Sequence, residues 1–235
     1  MEFLDYFRQL NFFSIFLRLL LAVIFGGLIG MDRARKHRPA GFRTYMLVCL
    51  GAALTMVLSQ YDAAMLSTVW GAKVSTDVSR FGAQVINGIG FLGAGTILVT
   101  GRQEVKGLTT AAGLWASACM GLAVGAGFYE CVVLAFALIF LSMRLLTPLE
   151  NAIVESSRNM NIYVEFCTMD DIGAIIGCLK AQDAHIYEVE IDRNRETNPH
   201  GPSAVFSIRL SQRNSHARLL AAIAELDHIY AIDEI

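Results

Sequence analysis

Length, composition and charge limit the classes of protein to which this chain can belong. The chain has 235 residues, of which 54% are hydrophobic and only 17% charged, and its mean hydropathy is +0.48. Soluble domains carry about 25% charged residues, so this balance excludes an ordinary soluble protein and indicates a membrane protein. The charge is also divided, because residues 1–150 carry a net charge of +4 and residues 151–235 a net charge of −6. This split predicts two domains.

Five apolar segments follow one another in residues 1–150, and each approaches the length of about 20 residues that crosses a bilayer. The predicted spans are 12–31, 44–61, 82–100, 107–125 and 129–147. We expect the first to be a retained span rather than a signal peptide, because it runs into a basic cluster without a small-residue cleavage site. Arg18 is the only charge in this span, and it is expected to reach the headgroup region.

Basic residues predict the orientation of these spans. The loop at 32–43, between the first two spans, contains five lysine or arginine residues. Cytoplasmic loops are rich in such residues, so the N-terminus is expected outside and the C-terminal domain in the cytoplasm.

Small residues recur four positions apart within two of the spans. They are Gly26 and Gly30 in the first span, and Gly113, Ser117, Gly121 and Gly125 in the fourth. Such spacing allows helix backbones to approach closely in a membrane. Packing within one chain and a homodimer face are both compatible with it.

The third span is dense in glycine, at Gly88, Gly90, Gly93 and Gly95. The first three match the spacing of a dinucleotide-binding fingerprint, but they lie inside an apolar span without the strand–turn–helix setting. Nucleotide binding is therefore rejected. Glycine at this density instead predicts a helix that is broken or packed closely against another.

Polar groups in or beside the spans are the candidate binding residues. Asp77 and Arg80 are spaced to pair with each other, and Gln84 and Asn87 continue the helical face of Arg80. In lipid such amides must be hydrogen-bonded, so this face is expected to contact protein or a polar cavity.

The opposite ends of the spans offer a second group of candidates. Asp32, Arg33 and Arg43 predict an ion-pair network, a topology signal, or a site for a lipid headgroup or protein partner. Thr109 and Thr110 open the fourth span, where hydroxyl groups cap free amides and the helix dipole favours anions.

A polar linker at 151–160 leads to a domain at 161–235 with the pattern β-α-β-β-α-β, typical of a ferredoxin-like, or ACT-like, α+β sandwich. In its second strand, Tyr187, Val189 and Ile191 are expected to face the core. Glu188, Glu190 and Asp192 alternate with them on the other face. They are weak candidates for a divalent metal ion, and a solvated sheet face is favoured because no ligand loop is evident.

Several motifs occur together in the membrane half, in a fixed order and spacing. They are Gly26-x-x-Ile29-Gly30-x-x-Arg33, Pro39-Ala40-Gly41-Phe42-Arg43-Thr44, Asp77-x-x-Arg80, the run from Gly88 to Thr96, and Gly107-Leu108-Thr109-Thr110-Ala111-Ala112 with Trp115. In this combination the chain resembles the MgtC/SapB family of bacterial inner-membrane proteins. The C-terminal domain matches the longer family members in its predicted topology only.

The resemblance implies a regulatory protein rather than a pump, linked to adaptation to low magnesium and to control of membrane potential or ATP synthase. Thr109 stands where the virulence-associated branch tends to have Asn, which weakens transfer of the ATP-synthase role, and Asp32 stands where Glu is usual. The expected partners are the bilayer, another membrane protein and, at the ACT-like domain, a small ligand or a second copy. A transporter or channel for an ion or small solute is the alternative, with Asp77, Arg80, Gln84 and Asn87 as its polar lining.

The sequence contains no enzyme signature, and neither a cofactor nor a nucleic-acid partner is expected. Five cysteines lack metal-ligand spacing and are expected to be buried, unreactive thiols.

Overall fold

The computed structural model describes residues 6–36, 38–69, 77–99, 105–146, 148–149, 152–153, 157–192, 201–211 and 216–235. The chain divides into two compact units, one containing residues 1–98 and 105–146 and the other residues 99–104 and 147–235. The first unit is helical and the second has mixed helices and strands. Residues 151 and 154–156 of the predicted linker at 151–160 lie outside the described residues.

The first unit contains five long helices in the chain order that the hydropathy pattern predicts. They are α1 (Phe12–Arg35), α2 (Phe42–Val69), α3 (Ser79–Ala94), α4 (Leu108–Gly125) and α5 (Tyr129–Arg144). The short strands β1 (Leu98–Val99) and β2 (Val105–Lys106) pair between α3 and α4. Asn11 begins α1, since its side chain accepts a hydrogen bond from the Ser14 backbone N–H at 2.8 Å and so satisfies a free amide of the first turn.

Among the described residues, three helical stretches are long and apolar enough to cross a membrane: Phe12–Arg35, Phe42–Leu66 and Leu108–Gly125. At 16 residues each, α3 and α5 are shorter than a full span of about 20 residues. The prediction of a helical span over 82–100 is wrong at its end, because α3 stops at Ala94. There the Thr96 hydroxyl donates a hydrogen bond to the Gly93 carbonyl at 2.8 Å, so local hydrogen bonds close the last turn.

Glycines bring α1 and α4 against α2. A methyl group added at Gly26 or Gly30 would lie 2.8 or 2.9 Å from atoms of α2. At Gly121 or Gly125 it would lie 2.2 or 2.4 Å from a carbonyl oxygen of α2. Only a hydrogen atom fits at these positions, so the helices meet backbone to backbone.

The glycines of the third predicted span do not pack against a neighbouring helix as closely as predicted. No described atom lies within 4 Å of a methyl group added at Gly88 or Gly90, so these two positions do not pack against a neighbouring helix. Gly93 makes an ordinary contact of 3.5 Å with Ala111, and Gly95 meets only carbonyl oxygens of the preceding turn. The helix is continuous past Gly88 and Gly90, because neither residue adopts a left-handed backbone conformation.

The second unit has the predicted order β-α-β-β-α-β. Its elements are β3 (Asn159–Phe166), α6 (Asp171–Ala181), β4 (His185–Asp192), β5 (Ser203–Arg209), α7 (His216–Ala224) and β6 (Ile229–Glu234). The strands form an antiparallel sheet in the order β4-β5-β3-β6. Phe166 and Phe206 are fully buried in its core together with Ile175 of α6 and Ile223 of α7, so both helices contribute to one hydrophobic core.

The predicted inward face of β4 is wrong for Tyr187 and confirmed for Val189 and Ile191, which lie opposite the buried residues Phe206 and Ala204. The register between β4 and β5 shifts between Ile186 and Glu188, which leaves Tyr187 as the extra residue of a β-bulge. Ile186 and Val189 therefore pack on the core, whereas Tyr187 is 60% exposed.

Candidate functional site

The end of the helical unit where α1 leads into the basic loop before α2 contains a buried arginine. Arg33 is 4% exposed, and its guanidinium donates a hydrogen bond to the Asp32 carboxylate at 2.8 Å. The Lys36 ammonium lies 3.5 Å from the same carboxylate. Because Gly30 allows α1 to approach α2, Arg33, three residues later on α1, is also brought into the packed region. No described group accepts a hydrogen bond from the Nε of Arg33.

The predicted network of Asp32, Arg33 and Arg43 forms only in part. Arg43 is exposed, and no described residue makes a hydrogen bond or ion pair with its side chain. Lys36 takes the place expected for Arg43, because it lies one helical turn after Asp32 on α1. Arg43 belongs instead to α2 and, with Thr44, lines a groove.

A hydrogen-bonded contact joins α2 and α4 beside this end. The Tyr45 hydroxyl donates a hydrogen bond to the Thr110 carbonyl at 3.0 Å, and the Ser117 hydroxyl donates one to the Tyr45 carbonyl at 3.3 Å. Gly113 permits the contact, since a methyl group there would lie 2.6 Å from the Tyr45 hydroxyl oxygen. Tyr45, Thr110 and Ser117 are all buried, so this contact fixes α4 against α2 without an open space for a ligand.

The predicted capping by Thr109 and Thr110 is not observed. Gly107 is the N-cap residue of α4, with a φ of 99°, and no side chain caps the helix. A methyl group at Gly107 would lie 1.9 Å from the Thr96 carbonyl oxygen, so both the φ angle and the space require glycine. Thr109 is exposed and lines a pocket of about 360 Å³ between α4 and α5, next to Ser142.

At the other end of the bundle, Arg18 is fully buried, which corrects the prediction that it reaches outward. Its guanidinium donates hydrogen bonds to the Gln60 side-chain oxygen and the Gly125 carbonyl, both at 2.8 Å. It also donates to the carbonyls of Phe7 at 3.2 Å and Arg8 at 2.7 Å. Four neutral oxygens therefore accept hydrogen bonds from this buried charge, while no described group accepts one from its Nε.

The Arg18 contact links three parts of the helical unit. Gln60 of α2 also donates a hydrogen bond to the Ala126 carbonyl at 3.3 Å, and Gly127 gives the guanidinium room, since a methyl group there would lie 2.8 Å from it. Among the described residues, no Asp or Glu forms an ion pair with Arg18. The sequence signal for this site was an arginine and a glutamine in two neighbouring spans.

Arg80, Gln84 and Asn87 form an exposed polar stripe along α3. Gly82, Ile89 and Gly93 are the buried residues of this helix. At 100° per residue, the two sets lie on opposite sides of the helix. The stripe therefore faces away from the bundle rather than lining a cavity inside it.

Asp77 does not form the predicted side-chain pair with Arg80. Its carboxylate accepts hydrogen bonds from the Ser79 hydroxyl at 2.6 Å and the Ser79 backbone N–H at 3.0 Å. These bonds hold the pKa of Asp77 below its usual value of 3.8, and the Arg80 charge contributes less. The Asp77 side chain therefore binds Ser79, the first residue of α3, instead of the Arg80 side chain.

An open groove of about 600 Å³ lies between α2, α3 and α4. Its walls are formed mainly by apolar side chains, with Arg43, Thr44 and Thr55 as the polar members. Gly51 and Gly88 also line the groove, and no described atom lies within 4 Å of a methyl group placed at either glycine. Arg43 is the one charged residue among the described residues that line the groove.

The carboxylates of β4 lie at alternate positions along one strand and form no metal-binding group with the other described residues. Glu188, Glu190 and Asp192 follow each other at alternate positions opposite Ser207, Val205 and Ser203. Across the described part of the chain, no group of three His, Cys, Asp or Glu side chains is arranged to hold a metal ion. Cys49 is buried, whereas Cys167 is exposed, contrary to the expectation that all five thiols are buried.

Three known proteins match large parts of this chain. A protein named putative magnesium transporter YhiD, from Escherichia coli, is 46% identical over 114 residues, which are 48% of this chain and 52% of that protein. Protein SapB of Bacillus subtilis is 30% identical over 182 residues, or 76% of this chain and 78% of SapB. Protein MgtC of Brucella abortus is 36% identical over 211 residues, or 86% and 82% of the two chains. The chain thus spans about half the length of the YhiD relative and most of the other two.

No solved structure matches the chain. The sequence model of the MgtC family matches residues 19–152, which include α2 to α5 and most of α1. This match covers more than half of the chain and contains the buried arginine at position 33, the polar stripe and the groove. The chain therefore belongs to the MgtC family.

Proposed function

We propose that this protein is a regulatory protein of the bacterial inner membrane, which acts by binding another membrane protein. In this proposal α3 and α5 lie in the bilayer together with the three longer helices. The side chains of Val133, Leu134 and Leu138 on α5 are more than half exposed, which suits contact with lipid. The N-terminus lies outside and the α+β unit in the cytoplasm, as the basic loop between α1 and α2 indicates.

The polar stripe of α3 is the observation that carries this proposal. Asn87 lies eight residues after Ser79, which places it about 12 Å along the helix axis and well inside the hydrocarbon layer. Amide groups at this depth must be hydrogen-bonded, because lipid tails offer no partners. Gln84 and Asn87 face away from their own bundle, so a second protein supplies these partners.

The charges inside the bundle disfavour a cation pathway. Arg18 and Arg33 are the buried charged residues of the described chain, and both are cations. A buried cation repels Mg²⁺ or H⁺, and transporters place their ion sites at polar groups near the midplane. Regulation by contact therefore fits the buried charges better than conduction does.

Transport of an ion or small solute is the second candidate function, and the name of the E. coli relative favours it. Purified protein in liposomes with an enclosed magnesium indicator separates the two proposals. We expect no Mg²⁺ entry above that of protein-free liposomes. Entry that is abolished by Asp77→Ala would establish transport instead.

The binding proposal is tested by affinity capture from membranes. Gln84→Leu and Asn87→Leu remove the amides of the stripe. Phe81→Leu is the matched control, because Phe81 is an exposed apolar residue about 60° or more around α3 from the residues of the stripe. We expect the two stripe variants to lose a captured partner that Phe81→Leu retains. Equal capture by all three variants would contradict the proposal.

Resemblance to the family suggests the process that is regulated, namely adaptation to low magnesium through membrane potential or ATP synthase. We infer that the α+β unit senses a small ligand or contacts a second copy, as ACT-like domains do. Growth of a deletion strain at low magnesium, with and without the Asn87→Leu variant, tests whether the stripe serves this role. If the Asn87→Leu variant restores growth fully, the polar stripe is not required for adaptation to low magnesium.

A further inference from the structure

We propose that the groove between α2 and α3 binds one anionic phospholipid, with the phosphate at Arg43 and an acyl chain along the apolar walls. This inference is independent of the protein partner proposed for the polar stripe. It rests on the dimensions of the groove, on the distribution of charge within it, and on the two glycines that keep it open.

The dimensions match one acyl chain in one leaflet. The groove follows α2 from Arg43 to Thr55, a distance of about 18 Å at 1.5 Å per residue. One leaflet contributes about 15 Å of hydrocarbon. The volume of about 600 Å³ is also within the range of about 300–1,000 Å³ that is usual for ligand pockets.

The charge is placed at one end of the groove. Arg43 is the second residue of α2, and among the described residues nothing pairs with its guanidinium. Leu47, Val48 and Leu92 continue the walls beyond it. A single cation followed by an apolar surface is complementary to an anionic headgroup and its tail, because guanidinium binds phosphate oxygens through two parallel hydrogen bonds.

Two glycines make the space. Gly51 of α2 and Gly88 of α3 both line the groove, and no described atom lies within 4 Å of a methyl group at either position. A methyl group at Gly88 would therefore enter the groove without striking a described atom. Gly88 lies one helical turn after Gln84 and forms the edge of the groove next to the polar stripe, whereas Val85, Ile89 and Leu92 lie about 80° or more around α3 from Gln84. A lipid in the groove therefore leaves Gln84 and Asn87 available to a protein.

The test uses the full chain in a neutral detergent, with dioleoyl-phosphatidylglycerol and dioleoyl-phosphatidylcholine as probes and native mass spectrometry as the readout. We expect phosphatidylglycerol to bind with one lipid per chain and more tightly than phosphatidylcholine. Arg43→Gln should weaken phosphatidylglycerol binding about tenfold, the value of one charged hydrogen-bonded contact. Gly88→Leu should weaken the binding of both lipids.

Two matched controls decide the interpretation. Arg35→Gln removes an exposed cation that does not line the groove, and Gly90→Leu enlarges a glycine of α3 that has equal space but lies outside the groove. Both controls should bind phosphatidylglycerol within about twofold of the unaltered chain, because in detergent no anionic surface adds a general attraction.

Three results would overturn the proposal. Equal losses from Arg43→Gln and Arg35→Gln would show attraction by general positive charge. Unchanged binding in Gly88→Leu would show that the lipid lies elsewhere. Loss of a co-purifying protein from Gly88→Leu, with phosphatidylglycerol binding intact, would assign the groove to a protein helix.

Discussion

Replacement of Gly121 by Ala tests the backbone contact between α4 and α2. The added methyl group would lie 2.2 Å from the Cys49 carbonyl oxygen and 2.9 Å from the Ala52 Cβ. Ordinary van der Waals contact begins at 3.4 Å, so the two helices would have to separate by about 1 Å. A carbonyl oxygen within a helix cannot rotate away, because its position is set by the helical hydrogen bonds.

The expected loss of stability in Gly121→Ala follows from this separation of the two helices. A radial gap of about 0.5–1 Å forfeits about a quarter to a half of the dispersion energy between facing atoms, and overpacked cores lose about 1–3 kcal/mol. We take the upper end, about 3 kcal/mol, because the obstruction at Gly121 is backbone. Alanine improves helix propensity by about 1 kcal/mol, so the net loss should be about 2 kcal/mol.

Gly88→Ala is the matched control. It makes the same chemical change in a helix of the same unit, at a position with no described atom within 4 Å. The higher helix propensity of alanine should then raise the free energy of unfolding of Gly88→Ala by up to about 1 kcal/mol. The free energies of unfolding of Gly121→Ala and Gly88→Ala should therefore differ by about 3 kcal/mol. The assay is equilibrium unfolding in mixed micelles with a rising fraction of dodecyl sulfate, followed by circular dichroism. Equal stability of Gly121→Ala and Gly88→Ala would refute the reasoning.

Three other predictions follow from the structure. Arg18→Met should lower the free energy of unfolding by about 2–3 kcal/mol, because the buried Gly125 carbonyl and the part-buried Arg8 carbonyl lose their donor. No loss in the mixed-micelle assay would contradict the buried contact. Phe206→Ala should lower the free energy of unfolding, measured thermally, by about 3–5 kcal/mol, because Phe206 is fully buried. Tyr187→Ala should lower it by less than about 1 kcal/mol, because Tyr187 is 60% exposed. Equal losses would place Tyr187 in the core. Ser79→Ala should raise the pKa of Asp77, since the Ser79 hydroxyl is the largest cause of its lowering, as carbon NMR of the carboxyl group can show. Because the pKa of Asp77 is lowered by folding, its stabilisation of α3 is present above pH 3.8 and is lost as the pH falls through the lower folded value.

Hydropathy and alternation predicted most of the architecture. The five helices of the first unit and the six elements of the second appear in the predicted order. The end of α3 was not predictable from hydropathy, because Ile97, Leu98 and Val99 are apolar although the helix has already ended at Ala94. Periodicity likewise could not reveal the bulge at Tyr187, since an extra residue leaves the sequence pattern unchanged.

The candidate site was predictable by residue type but not by arrangement. The spacing of Arg80, Gln84 and Asn87 placed them on one helical face, yet whether that face points inward depends on how α3 packs against its neighbours. Arg18 was recognised as an unusual charge, but its burial depends on Gln60 and on backbone carbonyls that are distant in sequence. Backbone acceptors leave no signature in a sequence.

Photo-crosslinking along α3 in membranes tests most directly whether the polar stripe contacts a protein. A photoreactive amino acid would be placed in turn at Gln84, Asn87, Phe81 and Ile86, all of which are exposed on this helix. The proposed function predicts protein adducts from positions 84 and 87 and lipid adducts from positions 81 and 86. Lipid adducts from all four positions would contradict it, because the amides of α3 would then face the bilayer without a protein partner.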